Sequence, residues 1–189
     1  MDNREFKDGK NRCFWCNNKN ELYIQYHDEE WGVLNLDEDY LFEMLILEAF
    51  QSGLSWETIL NKRENFRKAF DDFDIDAIIN YDSKKVESLL NNKDIIRNRR
   101  KIEATINNAR IFKNIQKEFG SFHNYLREFI PNEVIYDSES TESELSKTLS
   151  KDMKKRGMKF IGPTTIQSYL QAIGVINAHD KDCFKYEGS

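Results

Sequence analysis

The chain has 189 residues and a formal net charge of −5, and 32% of its residues are charged. This length fits one domain with a core of its own, and only 3 cysteines argue against a disulfide-rich scaffold. The longest aliphatic run, Met44 to Leu47, is far shorter than a membrane span, and the polar N-terminus is unlike a secretory signal, so we expect a soluble protein with no membrane partner.

Helical patterns fill most of the chain, and the small number of turn-formers, 8 glycines and 2 prolines, agrees with them. In chain order the patterns predict helices over 39–51, 56–70, 75–81, 83–90, 99–119 and 121–129, then from 142 to about 156 and from 163 onward. Residues 132–141 have no helical pattern and are predicted to be a loop. The sequence therefore predicts an all-α protein: a flexible polar tail over 1–12, followed by one globular helical domain over 13–189.

A connection of about five residues joins the last two predicted helices. Thr141 and Glu144 have the spacing of a capping box that begins the first helix, and Gly157 can end it in the left-handed conformation. Pro163 suits the first position of the second helix. The pair, about 142–174, is predicted to be a helix-hairpin-helix motif whose turn offers free N–H groups to a DNA phosphate. The alternative is an ordinary helical hairpin whose lysines form a solvated face.

Two cysteines and two histidines at opposite ends of the chain could share one metal ion. His179 and Cys183 are four residues apart and can face the same way, while Cys13 and His27 lie near the N-terminus. Two thiolates and two imidazoles suit tetrahedral zinc, and four protein ligands would make the site structural. Cys16, three residues after Cys13, could compete as a ligand. The alternative is a set of unrelated thiols and surface histidines.

Glu48 is an acidic residue on the apolar face of a predicted helix, beside Leu41, Met44 and Leu45. A carboxylate there is costly unless something pairs with it, and functional sites are where such residues are tolerated. Aromatic residues cluster in the same third of the chain, at Trp15, Tyr23, Tyr26, Trp31 and Trp56. An aromatic pocket with one carboxylate is typical of a flipped-base site. An ordinary core, with the glutamate reaching solvent at its edge or bonding a tyrosine, is the alternative.

Four blocks carry a resemblance to a known family: YHDEEWG (26–32), LFEMLILEAFQSGLSW (41–56), KKRGMKFIGPTT (154–165) and the closing H-x3-C. Together they closely resemble the bacterial 3-methyladenine DNA glycosylase I family, over nearly the whole chain. The resemblance implies an all-helical member of the helix-hairpin-helix glycosylase superfamily. Such an enzyme flips 3-methyladenine out of alkylated double-stranded DNA and hydrolyses its N-glycosidic bond, leaving an abasic site without a lyase step.

The resemblance also implies roles for individual residues. Glu48 and Tyr26 are expected to recognise the base and support catalysis, Trp56 to stack on it, and Trp15 and Tyr23 to line the pocket. One structural Zn²⁺ is expected, with no organic cofactor, on Cys13, His27, His179 and Cys183. Apart from the resemblance, we expect the basic region Lys151–Lys159 to carry most of the phosphate contact, and we assign DNA binding to Lys155, Lys159, Gly162, Thr164 and Thr165.

Further phosphate contacts are expected from the basic residues near the start of the long central helix, Arg97, Arg99, Arg100 and Lys101. We expect a monomer in the bacterial cytoplasm, associated with the nucleoid through DNA, that releases free 3-methyladenine as its product. Three positions depart from the family pattern: Cys16 is not part of that pattern, Met158 stands where an aromatic residue is usual, and Ala49 stands where glycine is usual.

Three other classes of protein remain open on the sequence. A DNA-lesion binding module would keep the hairpin and the zinc but lack turnover. A zinc hydrolase would need an open coordination position on the metal. A helical protein-interaction domain would bind no DNA at all.

Overall fold

Helices account for most of the secondary structure in residues 6–188, the part of the chain that our computed structural model describes. They are α1 (Glu21–Glu29), α2 (Glu38–Gln51), α3 (Trp56–Leu60), α4 (Arg63–Ala69), α5 (Ile75–Ile79), α6 (Ser83–Asn91), α7 (Arg99–Phe119), α8 (Phe122–Arg127), α9 (Glu144–Lys155) and α10 (Pro163–Ala172). A 3₁₀ turn covers Asp71–Phe73. The prediction of a mostly helical protein is confirmed. Among the helices of residues 6–188, none has the length and apolar composition that crossing a membrane requires.

Helix α2 forms the centre of the molecule. All residues from Leu41 to Phe50 are buried, because this helix is apolar on nearly every side and packs against α3, α7, α8 and α10. Asp37 caps its N-terminus by accepting hydrogen bonds from the backbone of Asp39 and Tyr40. Glu48 lies in the last turn of this buried helix, as its apolar surroundings in the sequence predict.

The start of α7 closes the C-terminal end of α2. Lys101 is buried in the first turn of α7, and its ammonium donates hydrogen bonds to the carbonyl oxygens of Phe50 and Ser52, at 2.7 Å each. These carbonyls have no partner within α2, so a cation from another helix stabilises them. The sequence prediction that Lys101 contacts DNA phosphate is therefore wrong, because its charge is used inside the fold.

Helices α9 and α10 pack against each other and are joined by residues 156–162. Gly157 has a φ of +100° and follows α9, and Pro163 is the first residue of α10, both as predicted. The capping box is formed by Ser143 and Ser146, not by Thr141 and Glu144. The helix begins two residues later than predicted.

Buried Asn108 of α7 fixes the turn between these helices. Its side-chain amide donates to the carbonyl of Lys159 at 2.9 Å, and its carbonyl accepts from the backbone N–H of Lys159 at 2.8 Å. Ser150 adds a hydrogen bond of 2.6 Å to the carbonyl of Ile161. The turn is thus held from α7 and from α9, which leaves its outer face free.

Two short segments differ from the sequence prediction. The single helix predicted over 56–70 is divided into α3 and α4, and Arg63 at the start of α4 turns inward to pair with Glu43 and Glu30. The predicted loop 132–141 contains strand β1 (Ile135–Tyr136), which pairs in parallel with β2 (Ile176–Asn177). Both differences depend on partners distant in sequence, which local patterns do not reveal.

Residues 1–5 of the predicted tail lie outside the described residues. Within the rest of that segment, Arg12 is buried and forms ion pairs with Asp8 at 2.7 Å and with Asp28 at 2.6 Å. The boundary drawn at residue 13 between tail and domain stays a prediction. The contact with Asp28 brings the start of the chain to the end of α1, where the first candidate site lies.

Candidate functional site

Four potential metal ligands converge where the two ends of the chain meet. Cys13, His27, His179 and Cys183 are all buried, and their ligand atoms lie within 4.8 Å of one another. Cys13 Sγ is 3.3 Å from Nδ1 of His179, while Cys183 Sγ is 3.5 Å from the same nitrogen and 3.4 Å from Nε2 of His27. The structure therefore brings the four predicted ligands together.

The spacing and the surroundings of these atoms fit a tetrahedral metal ion. Bonds of about 2.0–2.3 Å in a tetrahedron place ligand atoms about 3.3–3.8 Å apart, and the three distances of 3.3, 3.4 and 3.5 Å given above lie in this range. The second nitrogen of each imidazole is held: His27 Nδ1 lies 2.8 Å from Asp28 Oδ1, and His179 Nε2 lies 3.0 Å from the carbonyl oxygen of Trp31. Such contacts orient the ring and point the other nitrogen at the metal.

Burial also favours the neutral imidazole that binds metal. It lowers the pKa of His27, and it lowers the pKa of His179 to about 4. Cys16 lies outside the cluster, and its sulfur is 4.0 Å from the carbonyl oxygen of Tyr23. Its predicted competition for the ligand position of Cys13 therefore finds no support in the geometry.

An aromatic wall connects this cluster to a neighbouring pocket. Trp31, whose carbonyl orients His179, packs edge-on against Trp15 with ring centroids 4.6 Å apart. Trp15 also lies 5.2 Å from the ring of His27 and 5.1 Å from that of Tyr23. A metal held by the cluster would fix the rings that form one side of the pocket.

The pocket has a volume of about 260 Å³ and is lined mainly by aromatic rings. It holds all five residues that the sequence resemblance assigns to base recognition, namely Trp15, Tyr23, Tyr26, Glu48 and Trp56. The other lining side chains are Trp31, Gln51, Ser168 and Gln171. A small cavity with flat apolar walls and a few polar groups suits one planar heterocycle.

Glu48 is the acidic residue of this pocket. Its side chain is 4% exposed, and within residues 6–188 its Oε2 atom has no hydrogen-bond partner. By contrast, buried Glu43 on the same helix pairs with Arg63 and Arg67. Burial without a cation raises the pKa of Glu48 to about 8. A buried carboxylate left without a partner indicates a place for a ligand that donates hydrogen bonds or carries positive charge.

Tyr26 and Trp56 stand opposite each other in the same pocket. Their ring centroids are 5.2 Å apart. Tyr26 is buried, and burial together with the nearby Glu48 raises the pKa of its hydroxyl well above the usual value, so the hydroxyl remains a hydrogen-bond donor. The indole Nε1 of Trp56 is also buried without a partner in the described part of the chain.

The raised pKa of Glu48 predicts a pH-dependent stability of the ligand-free protein. The folded state holds the proton up to a pH of about 8, whereas the usual glutamate value is 4.5. The contribution to stability is therefore complete below pH 4.5 and is lost as the pH rises through about 8. In urea unfolding at pH 5, 7 and 9, Glu48→Gln should gain stability relative to the wild type as the pH rises. Parallel pH profiles for the two proteins would contradict this prediction.

A basic surface surrounds the turn between α9 and α10. Its lysines are exposed and form no ion pair within residues 6–188; they are Lys151, Lys154, Lys155 and Lys159. Arg156 differs, since it pairs with Glu118 and Asp152. The predicted DNA-contact residues Lys155 and Lys159 are therefore free on this surface, which we call the hairpin surface.

A cleft of about 270 Å³ adjoins the pocket and is lined in part by the start of α10. One wall is the turn after α2, with Ser52, Gly53 and Leu54, and the other is the start of α10, with Thr164 and Thr165. Gly162 is the N-cap residue of α10. Two of the remaining predicted DNA-contact residues, Thr164 and Thr165, therefore line a cleft beside the pocket, and Gly162 lies at the start of the same helix.

Three polar side chains of the pocket were missed by the sequence analysis: Gln51, Ser168 and Gln171. Their spacing contained a signal, because Gln51 follows Glu48 by three residues and Gln171 follows Ser168 by three, which places each pair on one helix face. The sequence does not show that the two faces meet.

Comparison with known proteins gives consistent matches. The methyladenine glycosylase family matches residues 15–186 of the chain. DNA-3-methyladenine glycosylase 1 of Escherichia coli (strain K12) is 41% identical over 184 residues, which cover 94% of this chain and 98% of that protein. The solved structure of 3-methyladenine DNA glycosylase I from Staphylococcus aureus has 34% identity and a TM-score of 0.88, covering 95% of this chain and 99% of that one. A variant of 3-methyladenine DNA glycosylase I in complex with 3-methyladenine has 34% identity and a TM-score of 0.86, covering 95% and 100%.

Proposed function

The chain belongs to the methyladenine glycosylase family, and from this membership we propose the following account of its activity. It is a DNA-3-methyladenine glycosylase of base-excision repair. It hydrolyses the bond between 3-methyladenine and deoxyribose in alkylated DNA, releases the base and leaves an abasic site. The observation that carries the account is the unpartnered carboxylate of Glu48 in an aromatic pocket.

The charge of the damaged base explains why such a pocket selects it. Methylation at N3 gives the base a positive charge while it remains attached to the sugar, which weakens the glycosidic bond. The ligand-free protein holds the Glu48 proton up to a pH of about 8, but a cationic base beside it favours the carboxylate, which then accepts hydrogen bonds from the base. The ring of Trp56 offers a π face to the same cation. Neutral adenine gains less from both contacts. The enzyme therefore does not need a strong acid to protonate the leaving base.

Tyr26 supplies a donor beside that acceptor. Because its hydroxyl stays protonated, it can donate a hydrogen bond to a ring nitrogen of the base or to Glu48 itself. Trp15 and Tyr23 form the remaining aromatic walls. A purine flipped out of the stack exchanges base stacking in DNA for stacking on these rings.

We assign α9, the turn and α10 to a helix-hairpin-helix DNA-binding motif. The free N–H groups at the start of α10, behind Gly162, can bind a phosphate, and the unpaired lysines of the hairpin surface add positive charge. Thr164 and Thr165 line the path from this phosphate position to the pocket. This arrangement supports contact with one strand of the duplex on either side of the flipped nucleotide.

Reversing two charges on the hairpin surface tests the DNA assignment. The double variant Lys154→Glu, Lys155→Glu should bind DNA more weakly. The negative slope of log K against log salt should become shallower by about 2, one for each lost phosphate contact. Lys68→Glu, Lys84→Glu is the matched control, since these lysines are exposed and lie on α4 and α6. Fluorescence anisotropy between 50 and 300 mM salt would measure both slopes. An unchanged slope in the first variant would remove the assignment.

We propose that the metal cluster binds one structural Zn²⁺. Two thiolates and two imidazoles are a preferred ligand set for zinc, and four protein ligands leave no position for a substrate. When bound, the ion supplies a cross-link between the two ends of the chain. This ligand set disfavours a zinc hydrolase. The residues assigned to the base and to DNA all belong to one chain, so we propose a monomer. The DNA substrate supports a place in the bacterial cytoplasm.

A strand-cleavage assay tests the reaction type. On alkylated duplex DNA carrying an end label, the protein should create sites that break only after treatment with hot alkali, since an abasic site is alkali-labile. Breaks before alkali treatment would indicate a lyase step and would contradict a monofunctional glycosylase. Binding without alkali-labile sites would favour a lesion-binding module.

A further inference from the structure

The base pocket and the cleft beside the hairpin surface share three side chains: Glu48, Gln51 and Ser168. Every other lining residue belongs to only one of the two cavities. These three side chains therefore mark the junction of the cavities. Trp56 and Gln171 lie on the pocket side of it, and Thr165 lies on the hairpin side.

The order of residues along α10 indicates what must occupy this junction. A helix rises about 1.5 Å per residue, so Ser168 lies about 6 Å beyond Thr164 and Gln171 about 4.5 Å beyond Ser168. In the proposed function a DNA phosphate binds at the start of α10 and the flipped base lies in the pocket; here we place that phosphate on the flipped nucleotide itself. The deoxyribose connects the two, so its C1′ atom, where the bond is cleaved, lies beside Ser168.

The polar groups at the junction have no partners in the fold. Within residues 6–188, neither the Gln51 carboxamide nor the Ser168 hydroxyl makes a hydrogen bond, and Glu48 Oε2 is also unpaired. Both Gln51 and Ser168 are half-buried. A carboxamide and a hydroxyl can each donate and accept, which is the combination that holds a water molecule in a fixed orientation.

We propose that Gln51 and Ser168 bind the water molecule that attacks C1′, a role that rests on the proposed glycosylase function. The water oxygen forms a bond to C1′ while the bond from C1′ to N9 of the base breaks. The electron pair of the broken C1′–N9 bond passes to the base, which leaves as neutral 3-methyladenine. The proton lost by the water passes to the Glu48 carboxylate and then to solvent, so the positive charge of the substrate leaves as that proton. Gln51 and Ser168 orient the water and take no proton themselves.

The test distinguishes contacts to the sugar from contacts to the base by comparing two ligands, methylated DNA and free 3-methyladenine. Gln51→Leu and Ser168→Ala should each lower the single-turnover rate of base release at saturating DNA by about 10- to 100-fold. Neither should change the dissociation constant for free 3-methyladenine, measured by tryptophan fluorescence, because the free base has no C1′. The pH at which the rate is half-maximal should also stay unchanged, since neither side chain titrates.

Two variants on either side of the junction serve as controls. Gln171→Leu lies in the pocket only and should affect free-base binding more than the single-turnover rate at saturation. Thr165→Val lies in the cleft only and should affect DNA binding more than that rate. Circular dichroism melting would establish that all four variants fold.

Three outcomes are informative. Wild-type protein that releases no base contradicts the proposed function itself. An active wild type with equally fast Gln51→Leu and Ser168→Ala variants overturns the water site alone. Weaker binding of the free base in these two variants, in proportion to the lost rate, also overturns it, since it would place both side chains on the base.

Discussion

Glu48→Gln is expected to lower the rate of 3-methyladenine release from methylated DNA by about 10- to 100-fold, since a hydrogen bond to a charged group contributes about 1.5–3 kcal/mol. The carboxamide keeps the size of the side chain but loses the negative charge that favours a cationic base. One of its two acceptor sites also becomes a donor. The same variant should bind free 3-methyladenine more weakly, which tryptophan fluorescence would measure.

A second buried glutamate on α2 provides the control for this experiment. Glu43 is 8% exposed, close to the 4% of Glu48, but it pairs with Arg63 and Arg67. Removing one partner from a buried ion pair is destabilising, so Glu43→Gln should unfold at lower temperature than the wild type. Glu48→Gln should not unfold at lower temperature than the wild type, and at pH 9 it should be more stable than the wild type. Undiminished binding of the free base by Glu48→Gln would place the base pocket elsewhere.

Cys183→Ser is expected to release the bound zinc and to lower the melting temperature by on the order of 10 °C, since loss of a structural metal is among the most destabilising changes. Cys183, near the end of the chain, lies in one cluster with Cys13 and His27, near its start. Elemental analysis of the purified protein would give the metal content, and calorimetry would give the melting temperature. Base release should fall as well, because Trp31 and Trp15 pack against the cluster.

Cys16→Ser is the matched control for the zinc experiment. Cys16 is fully buried but lies outside the ligand cluster, so its variant should retain one zinc per chain. A Cys183→Ser protein with unchanged metal content and stability would contradict the structural zinc site. A folded and stable Cys183→Ser protein that loses only its rate would instead indicate a catalytic metal.

The sequence could predict those features that depend on local spacing. The long stripe of α7 ends at Gly120 as predicted, and the apolar neighbours of Glu48 correctly indicated its burial. The four metal ligands and the base-pocket residues followed from the family resemblance. The structure then places each of these sets in one cluster or cavity.

The remaining features depend on contacts between elements that are distant in the chain. Lys101 looks like a surface cation in the sequence, yet the open end of α2 binds its ammonium. Gln51 and Ser168 become neighbours only because α2 packs against α10. Strand β1 forms because β2 lies beside it. Single-sequence patterns record propensity along one element and carry no information on which faces meet.

The measurement that tests the central claim most directly is chromatography of the bases released from methylated duplex DNA. The zinc-loaded protein should release free 3-methyladenine and little 7-methylguanine. Both bases carry positive charge in DNA, but adenine has a 6-amino group that can donate to Glu48, whereas guanine has a 6-oxo acceptor there and a different shape. Protein that is folded and zinc-loaded but releases no base would contradict the account.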